Sequence, residues 1–331
     1  MLRRIAAPPL RMPTLSPEGQ SSVGIKSFAR LVEVYEKGML RVASLITRLI
    51  SYIRLTLQKY TADHRQRGDA KSPRRPSTFY EEQYKGEGYK TFDADFPHSE
   101  YERLNAFIKT ARLESSRVLD VGCGRGAFQD LVTDYTGVDI AVSAGRWIHK
   151  KFLVASATSL PLPDNHYDCV WSAWTLEHVP EPEKGLEEMR RVTKSRGYIF
   201  LCPAWQCRPW AANGYDVRPY EGLDLWGKMI KVTIPLRNSV LFRSLYLVPK
   251  RLAHHVAWVV MRRPTRFWYR KLRPNYEKFW TSDSDACNWM DPHEAILWFV
   301  SRGDDCLNHP VHFQGLLVRT GALIFQVKKR N

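Results

Sequence analysis

Long apolar runs, acidic charge and paired cysteines are what this 331-residue chain has least of. No uncharged stretch reaches the roughly 18 to 20 apolar residues that a bilayer-spanning helix needs. The longest approach, Leu252 to Met261, is closed off by Arg251 and Arg262. Six cysteines, at 123, 169, 202, 207, 287 and 306, occur without CxxC spacing, so no zinc site is expected. A chain of this size needs no disulfide staples either, and the cysteines read as reduced, buried thiols of a cytosol-like compartment. The shortage of acids is the most telling: 34 Asp+Glu face 50 Lys+Arg, for a net charge of +16 and a pI near 9.6. Such a balance favours an anionic partner, either nucleic acid or an acidic lipid surface.

At roughly 100 to 200 residues per domain, the length allows one large α/β domain with appendages or two small domains. Residues 1–25 hold Pro8, Pro9, Pro13 and Pro17 and no acid before Glu18, a weak likeness to a transit peptide. The prolines forbid a good amphipathic helix, and a disordered tail is expected. From 26 to 60 apolar residues such as Met39, Val42, Ile46, Leu49, Ile53 and Leu57 recur at steps of three and four, opposite Arg41, Arg48, Arg54 and Lys59. A basic amphipathic helix of this kind suits a membrane interface, a protein core or a partner. Residues 61–78 are polar, basic and broken by Pro73 and Pro76, as in a linker. Four aromatics, Phe79, Tyr80, Tyr84 and Tyr89, then surround Gly86 and Gly88, and Tyr101 to Arg112 has a helical pattern.

Five short apolar runs follow, Val118–Val121, Tyr135–Asp139, Phe152–Ala155, Asp168–Ser172 and Tyr198–Cys202, separated by helical stretches of which Glu183–Lys194 is the clearest. Alternating strands and helices imply an α/β, Rossmann-like doubly wound sheet of parallel strands, with ligands at the strands' carboxyl ends. Gly315–Val318 and Ala322–Lys328, around Arg319, Thr320 and Gly321, predict a C-terminal hairpin. About 110 residues separate it from the fifth strand, against roughly 2 to 6 for an ordinary loop. The expected organisation is therefore a domain formed by 79–203 and 313–331, interrupted by an inserted basic and aromatic cap at 204–312.

The first strand runs into Gly122, Gly124 and Gly126, where backbone can approach a ligand and a following helix can present its N–H groups. Alone the loop also satisfies the dinucleotide fingerprint GxGxxA, so a NAD-dependent enzyme stays open. The context is more specific: VLDVGCGRG at 118–126, TGVDI at 136–140, LPLPDNHYDCVWSAWTLEHV at 160–179 and EEMRRVTKSRGYIFLCP at 187–203 occur in order and at family spacing. Together they resemble the type 11 family of class I S-adenosylmethionine-dependent methyltransferases, which includes ubiquinone and menaquinone C-methyltransferases. The resemblance implies the seven-stranded sheet of that class and S-adenosyl-L-methionine as cofactor. It implies that Gly122, Gly124 and Gly126 line the methionyl part, that Asp120 orients the amino group, and that Asp139 accepts from the ribose hydroxyls. Ile140 would lie against the adenine, and Ser156 and Ala157 stand where many relatives have an Asp for the adenine amino group. Ser172, Ala173 and Trp174 would form the floor beside the sulfonium.

Methyl transfer is an in-line displacement that depends on positioning and needs a base only where the acceptor loses a proton. The family pattern sets His178 at the mouth as the candidate base, with a pocket-shaping role as the alternative; His293, Asp283 and Asp285 are further candidates. Cys202 reads as a buried strand-end thiol rather than a nucleophile. From Leu225 to Tyr276 the chain has no acid and twelve Lys or Arg, interleaved with Trp226, Trp258, Trp268 and Tyr269. Cations beside aromatics and apolar patches such as LAHHVAWVVM suit an anionic membrane surface, and with the N-terminal helix they supply the two signals stable anchoring takes. The expected activity is methyl transfer to a hydrophobic acceptor, a lipid or lipid-linked glycan, by a cytoplasmic enzyme peripheral to the membrane. Two other readings remain: an RNA methyltransferase, against which SAWTLEHV lacks an NPPY-like run, and a cofactor-binding protein without turnover.

Overall fold

The computed structural model describes residues 75–86, 98–309, 316 and 321–329. The tail, the basic helix at 26–60 and most of the linker expected from the sequence lie outside these residues. The linker's last three residues are helical: Pro76, whose missing N–H costs nothing in a first turn, opens helix α1, Pro76–Lys85. Helix α2 spans His98–Ala111.

Five parallel strands follow: β1 (Arg117–Val121), β2 (Asp134–Asp139), β3 (Lys151–Val154), β4 (Tyr167–Ala173) and β5 (Thr193–Cys202). With β8 (Asp305–Cys306) and β9 (Leu323–Gln326) they form one seven-stranded sheet in the order β3-β2-β1-β4-β5-β9-β8. Only β9 is reversed, being antiparallel to both its neighbours. This is the doubly wound sheet the sequence implies. Side chains leave a strand alternately, and here both faces are covered: Cys169 and Trp171 enter one core while Val170 enters the other, as do Phe200 and Cys202 against Ile199 and Leu201. Leu104 and Ile108 of α2 close the first face; helix α3 (Pro182–Val192) and helix α6 (Pro292–Val300) close the second with Leu186, Met189, Ile296 and Trp298.

Two expectations are corrected. No α-helix follows the glycine loop: the residues between Gly126 and β2 hold only a 3-10 turn, Gln129–Leu131, because seven residues are too few for a helix that must also reverse the chain. The insert also ends earlier than residue 312. Helix α6 and β8 lie inside the range expected for the cap, yet they complete the sheet and its core. Among the described residues the antiparallel partners of β9 are β5 and β8; the first arm expected for the hairpin falls outside them, apart from Leu316.

The insert between β5 and α6 contains two helices in series, α4 (Leu225–Asn238) and α5 (Val240–Met261). The Asp224 carboxylate caps α4 by accepting from Gly227 N at 2.8 Å, and Ser239 ends α4 while its hydroxyl caps α5. A two-stranded ribbon, β6 (Tyr269–Lys271) with β7 (Asn288–Met290), returns the chain to the sheet. Cys287 N donates to Glu177 O at 2.9 Å, and Arg251 of α5 forms a buried ion pair with Asp291 at 2.8 Å. The insert is thus tied to the carboxyl end of β4. No described helix is long and apolar enough to cross a membrane.

Candidate active site

Three strand ends meet where β1 stops. Gly122 N and Cys123 N both donate to Val138 O of β2, at 2.7 and 3.0 Å, so the loop folds back over its neighbour. Thr175, just after β4, donates its hydroxyl to Gly122 O, and Ser172 donates to Val121 O at 2.9 Å. Gly122 has φ +76°, and a Cβ there would lie 2.1 Å from Thr175 Cγ2. Only glycine fits such a position.

Two adjoining cavities of about 390 Å³ each open at this point. Gly122, Trp174, His178, Tyr80 and Tyr84 line both. The first continues past Asp139, Ile140, Ala155, Ser156 and Ala157; the second past Asp120, Gly124, Ala173, Glu177, Asp283 and Asp285. Helix α1 supplies the two tyrosines and is clamped to the turn after β2, where Ser143 N donates to the Glu81 carboxylate at 3.0 Å and Ser143 Oγ to Glu81 O at 3.1 Å. Trp174 adopts φ +49°, uncommon for a bulky side chain, and is held there by its N–H donating to Cys202 O at 2.9 Å.

Of the expected site residues, Asp120, Gly122, Gly124, Asp139, Ile140, Ser156, Ala157, Ala173, Trp174 and His178 border the cavities. Ser172 does not: its buried hydroxyl is spent on the β1 carbonyl. Gly126 is also outside the lining and serves the turn, donating to Cys123 O at 2.8 Å. His293 is fully buried in α6 and borders neither cavity; burial and the nearby Arg251 push its imidazole down to about 3. Cys202 is a buried thiol pushed up by burial and by Glu100, which makes it a poor nucleophile.

The two carboxylates of the glycine region differ. Asp139 accepts from Gly124 N at 3.0 Å and Ala141 N at 2.9 Å, which leaves acceptor capacity on both oxygens for hydroxyl donors. Burial nonetheless raises it above the usual carboxylate range. Asp120 is buried with the Tyr135 hydroxyl donating to it at 2.9 Å, and desolvation pushes it up to about 7. A buried carboxylate facing a cavity and lacking a cationic neighbour is matched to an ammonium group.

Across the second cavity stands a cluster that sequence spacing did not assemble. His178 Nδ1 lies 3.3 Å from Asp285 Oδ2, an ion-pair distance, and its Nε2 lies 3.9 Å from Glu177 Oε1. Tyr80 donates to Asp285 Oδ2 at 2.8 Å. Glu177 accepts from Ala204 N at 3.0 Å, keeps Oε2 without a hydrogen-bond partner among the described residues, and is pushed up to about 7 by burial. Burial depresses His178, but Asp285, Glu177 and Asp283 outweigh it, so the imidazole rises above its ordinary value. Tyr80 and Glu177 were missed as site residues. The aromatic cluster at 79–89 and the acid beside His178 were the only signals for them.

Residues 119–201 match a family model described as a methyltransferase domain. A ubiquinone/menaquinone biosynthesis C-methyltransferase of Pseudomonas fluorescens (strain SBW25) is 29% identical over 134 residues, 35% of this chain and 52% of that protein. A demethylmenaquinone methyltransferase of Renibacterium salmoninarum is 38% identical over 94 residues, 26% of this chain and 40% of that protein. The chain spans about half or less of the length of these relatives. Among solved structures, a possible histamine N-methyltransferase of Thermotoga maritima is similar at 21% identity over 38% of this chain and 61% of that one, TM-score 0.32. An amino pentose methyltransferase of Micromonospora echinaspora is similar at 21% identity over 33% and 51%, TM-score 0.30.

The fit of Gly122 against Thr175 yields a direct test. Gly122→Ala should cost roughly 1–3 kcal/mol in backbone strain alone and abolish binding of S-adenosylmethionine, measured by calorimetry. Adding Thr175→Gly should restore part of the binding by removing the atoms the new Cβ meets, while the strain of the left-handed backbone stays. Equal binding by Gly122→Ala and the parent would show that the strand ends do not need this close approach.

Proposed function

We propose that this chain, which carries a class I S-adenosylmethionine-dependent methyltransferase domain, methylates a hydrophobic acceptor, a lipid or lipid-linked glycan, at a membrane surface. The cofactor supplies an electrophilic methyl group on a sulfonium. Asp139 would hold its ribose, Ile140 and Ser156 its adenine side, and Asp120 its ammonium. Trp174, Tyr80 and Tyr84 wall the reacting centre and exclude water from it.

His178 with Asp285 behind it has the arrangement of a base and its orienting carboxylate. Neutral His178 would take the proton of an acceptor hydroxyl or amine, and Tyr80 would keep Asp285 in place. Because the surrounding carboxylates favour the imidazolium, the accepting form grows in only above the ordinary histidine range. The methylation rate should therefore climb with pH through that raised value. In Asp285→Asn the imidazolium loses its stabilising charge, so the midpoint should move to lower pH. A profile unchanged in Asp285→Asn, or full activity in His178→Ala, would remove His178 as base.

The observation that carries the acceptor and location is the outer surface of the insert. Leu225, Met229, Val232 and Leu236 form an exposed stripe on α4, and Leu241, Leu245, Leu252, Val256 and Val260 form one on α5. Leu241 is 76% and Val260 75% exposed. An apolar face of this extent is rare on a soluble monomer and marks an interaction surface. The side chains are aliphatic, which bury well among acyl chains and stack poorly on bases, so this surface favours lipid over RNA. The acid-free run from 225 to 276 complements anionic headgroups. The names of the two curated relatives, which concern ubiquinone and menaquinone, are in keeping with an apolar acceptor.

Replacing Leu245 and Val256 with Glu removes two insertions worth roughly 1.5–3 kcal/mol each when fully buried. Co-flotation with phospholipid vesicles should fall at least tenfold while S-adenosylmethionine binding stays unchanged. Equal flotation of parent and variant would contradict the membrane assignment.

A further inference from the structure

A third cavity, of about 610 Å³, lies between α5 and the β6–β7 ribbon, apart from the two that adjoin the glycine loop. Its size falls within the usual range for ligand sites. No carboxylate among the described residues lines it. Arg237 of α4, Arg243 and Lys250 of α5 and Arg270 of β6 converge on it, and Trp268 and Trp289 form one wall. A fifth cation at the rim, Arg208, is neutralised by Asp216 at 3.0 Å. None of the other four is within ion-pair distance of a described acid.

The sequence of α5 builds this wall. Phe242, Arg243, Tyr246, Leu247 and Lys250 share one side of the helix and border the cavity, whereas Leu241, Leu245, Leu252 and Val256 point the other way. On β6, Arg270 pairs directly with Trp289 of β7, which sets a guanidinium beside an indole at the cavity's far edge. The Lys250 ammonium sits over the Trp268 ring, is shielded from solvent and has no hydrogen-bond acceptor among the described residues. Burial lowers its affinity for a proton below the ordinary lysine range, and the more distant Glu294 and Asp291 do not offset this. Four cations thus line a half-enclosed space, while the acids that act on Lys250, Glu294 and Asp291, lie outside the lining. A multivalent anion would bring negative charge into that space, and the planar forks of the arginines match phosphate oxygens in pairs.

We propose that this cavity binds the phosphate or diphosphate group of an anionic amphiphile. The lipid as source of that group rests on the membrane-surface reading above; the anion site itself does not. A helix with its side chains is about 10–12 Å across, and an interfacial helix sinks roughly 5–10 Å into the headgroup and acyl boundary. With the apolar face of α5 in the boundary, the cations on its opposite side stand at the level of the lipid phosphates. Trp289 is four residues from Asp285 along the chain, at most about 14 Å away. One edge of this cavity is thus within that backbone distance of Asp285, which lines the cavity holding His178.

The test uses the full chain and inorganic pyrophosphate as probe, followed through tryptophan emission because Trp210, Trp268 and Trp289 line the cavity. The parent should bind saturably, with affinity at least tenfold weaker in Lys250→Gln and in Arg243→Gln. Arg262→Gln, beyond the cavity at the end of α5, should leave it unchanged. S-adenosylmethionine binding checks that each variant is folded. In a second arm, phosphatidic acid added to phosphatidylcholine vesicles should strengthen flotation, and free pyrophosphate should cancel that increment. Absence of pyrophosphate binding, or binding equal in Lys250→Gln, overturns the site. Pyrophosphate binding without flotation on either vesicle keeps the site and removes the membrane reading. Displacement of pyrophosphate by single-stranded RNA, with no response to phosphatidic acid, overturns the lipid assignment.

Discussion

A missing methyl group governs the geometry of this molecule's working end. At position 122 the chain leaves β1, turns in a left-handed conformation and passes so near Thr175 that any Cβ would overlap it. The same turn lets two successive N–H groups share the carbonyl of Val138 and lets Thr175 tie β4 to the loop. Because β1, β2 and β4 are locked together at their carboxyl ends, Asp120, Asp139, Trp174 and His178 are presented toward common space. In most doubly wound sheets a helix N-terminus after the first strand helps hold the ligand. Here only a 3-10 turn, Gln129–Leu131, follows.

The cavities differ in the sign of the charges that line them. Acids gather around the two cavities beside the glycine loop, where burial pushes Asp120 and Glu177 up to about 7. Cations gather in the insert, where four of them share a cavity with tryptophans. The insert's attachment by Arg251 to Asp291, and by Cys287 to Glu177, joins these two regions through short stretches of backbone.

The sheet was legible because its strands contain short apolar runs separated by polar or helical stretches, and the glycine loop directly follows the first of them. The lining of the cavities was legible wherever one motif carries it: Asp139 ends β2 and Trp174 follows β4. What escaped reading depends on distant chain returns. Tyr80 reaches Asp285 across more than two hundred positions, and nothing local announces that contact. Ser172 was misread because its side chain, in a strand of period two, points into the sheet seam rather than out of it. The boundary of the insert was misplaced because α6 is buried on nearly every side, His293 and Glu294 included, and β8 is two residues long, so neither has the amphipathic pattern from which elements are recognised.

The central claim concerns where the methyl group goes. Incubating the full chain with methyl-labelled S-adenosylmethionine and separate pools of membrane lipid, lipid-linked glycan, RNA and soluble metabolites tests it most directly. The account predicts label in the organic-extractable lipid or lipid-linked fraction, lost in Gly122→Ala. Label confined to RNA or to soluble metabolites would contradict it.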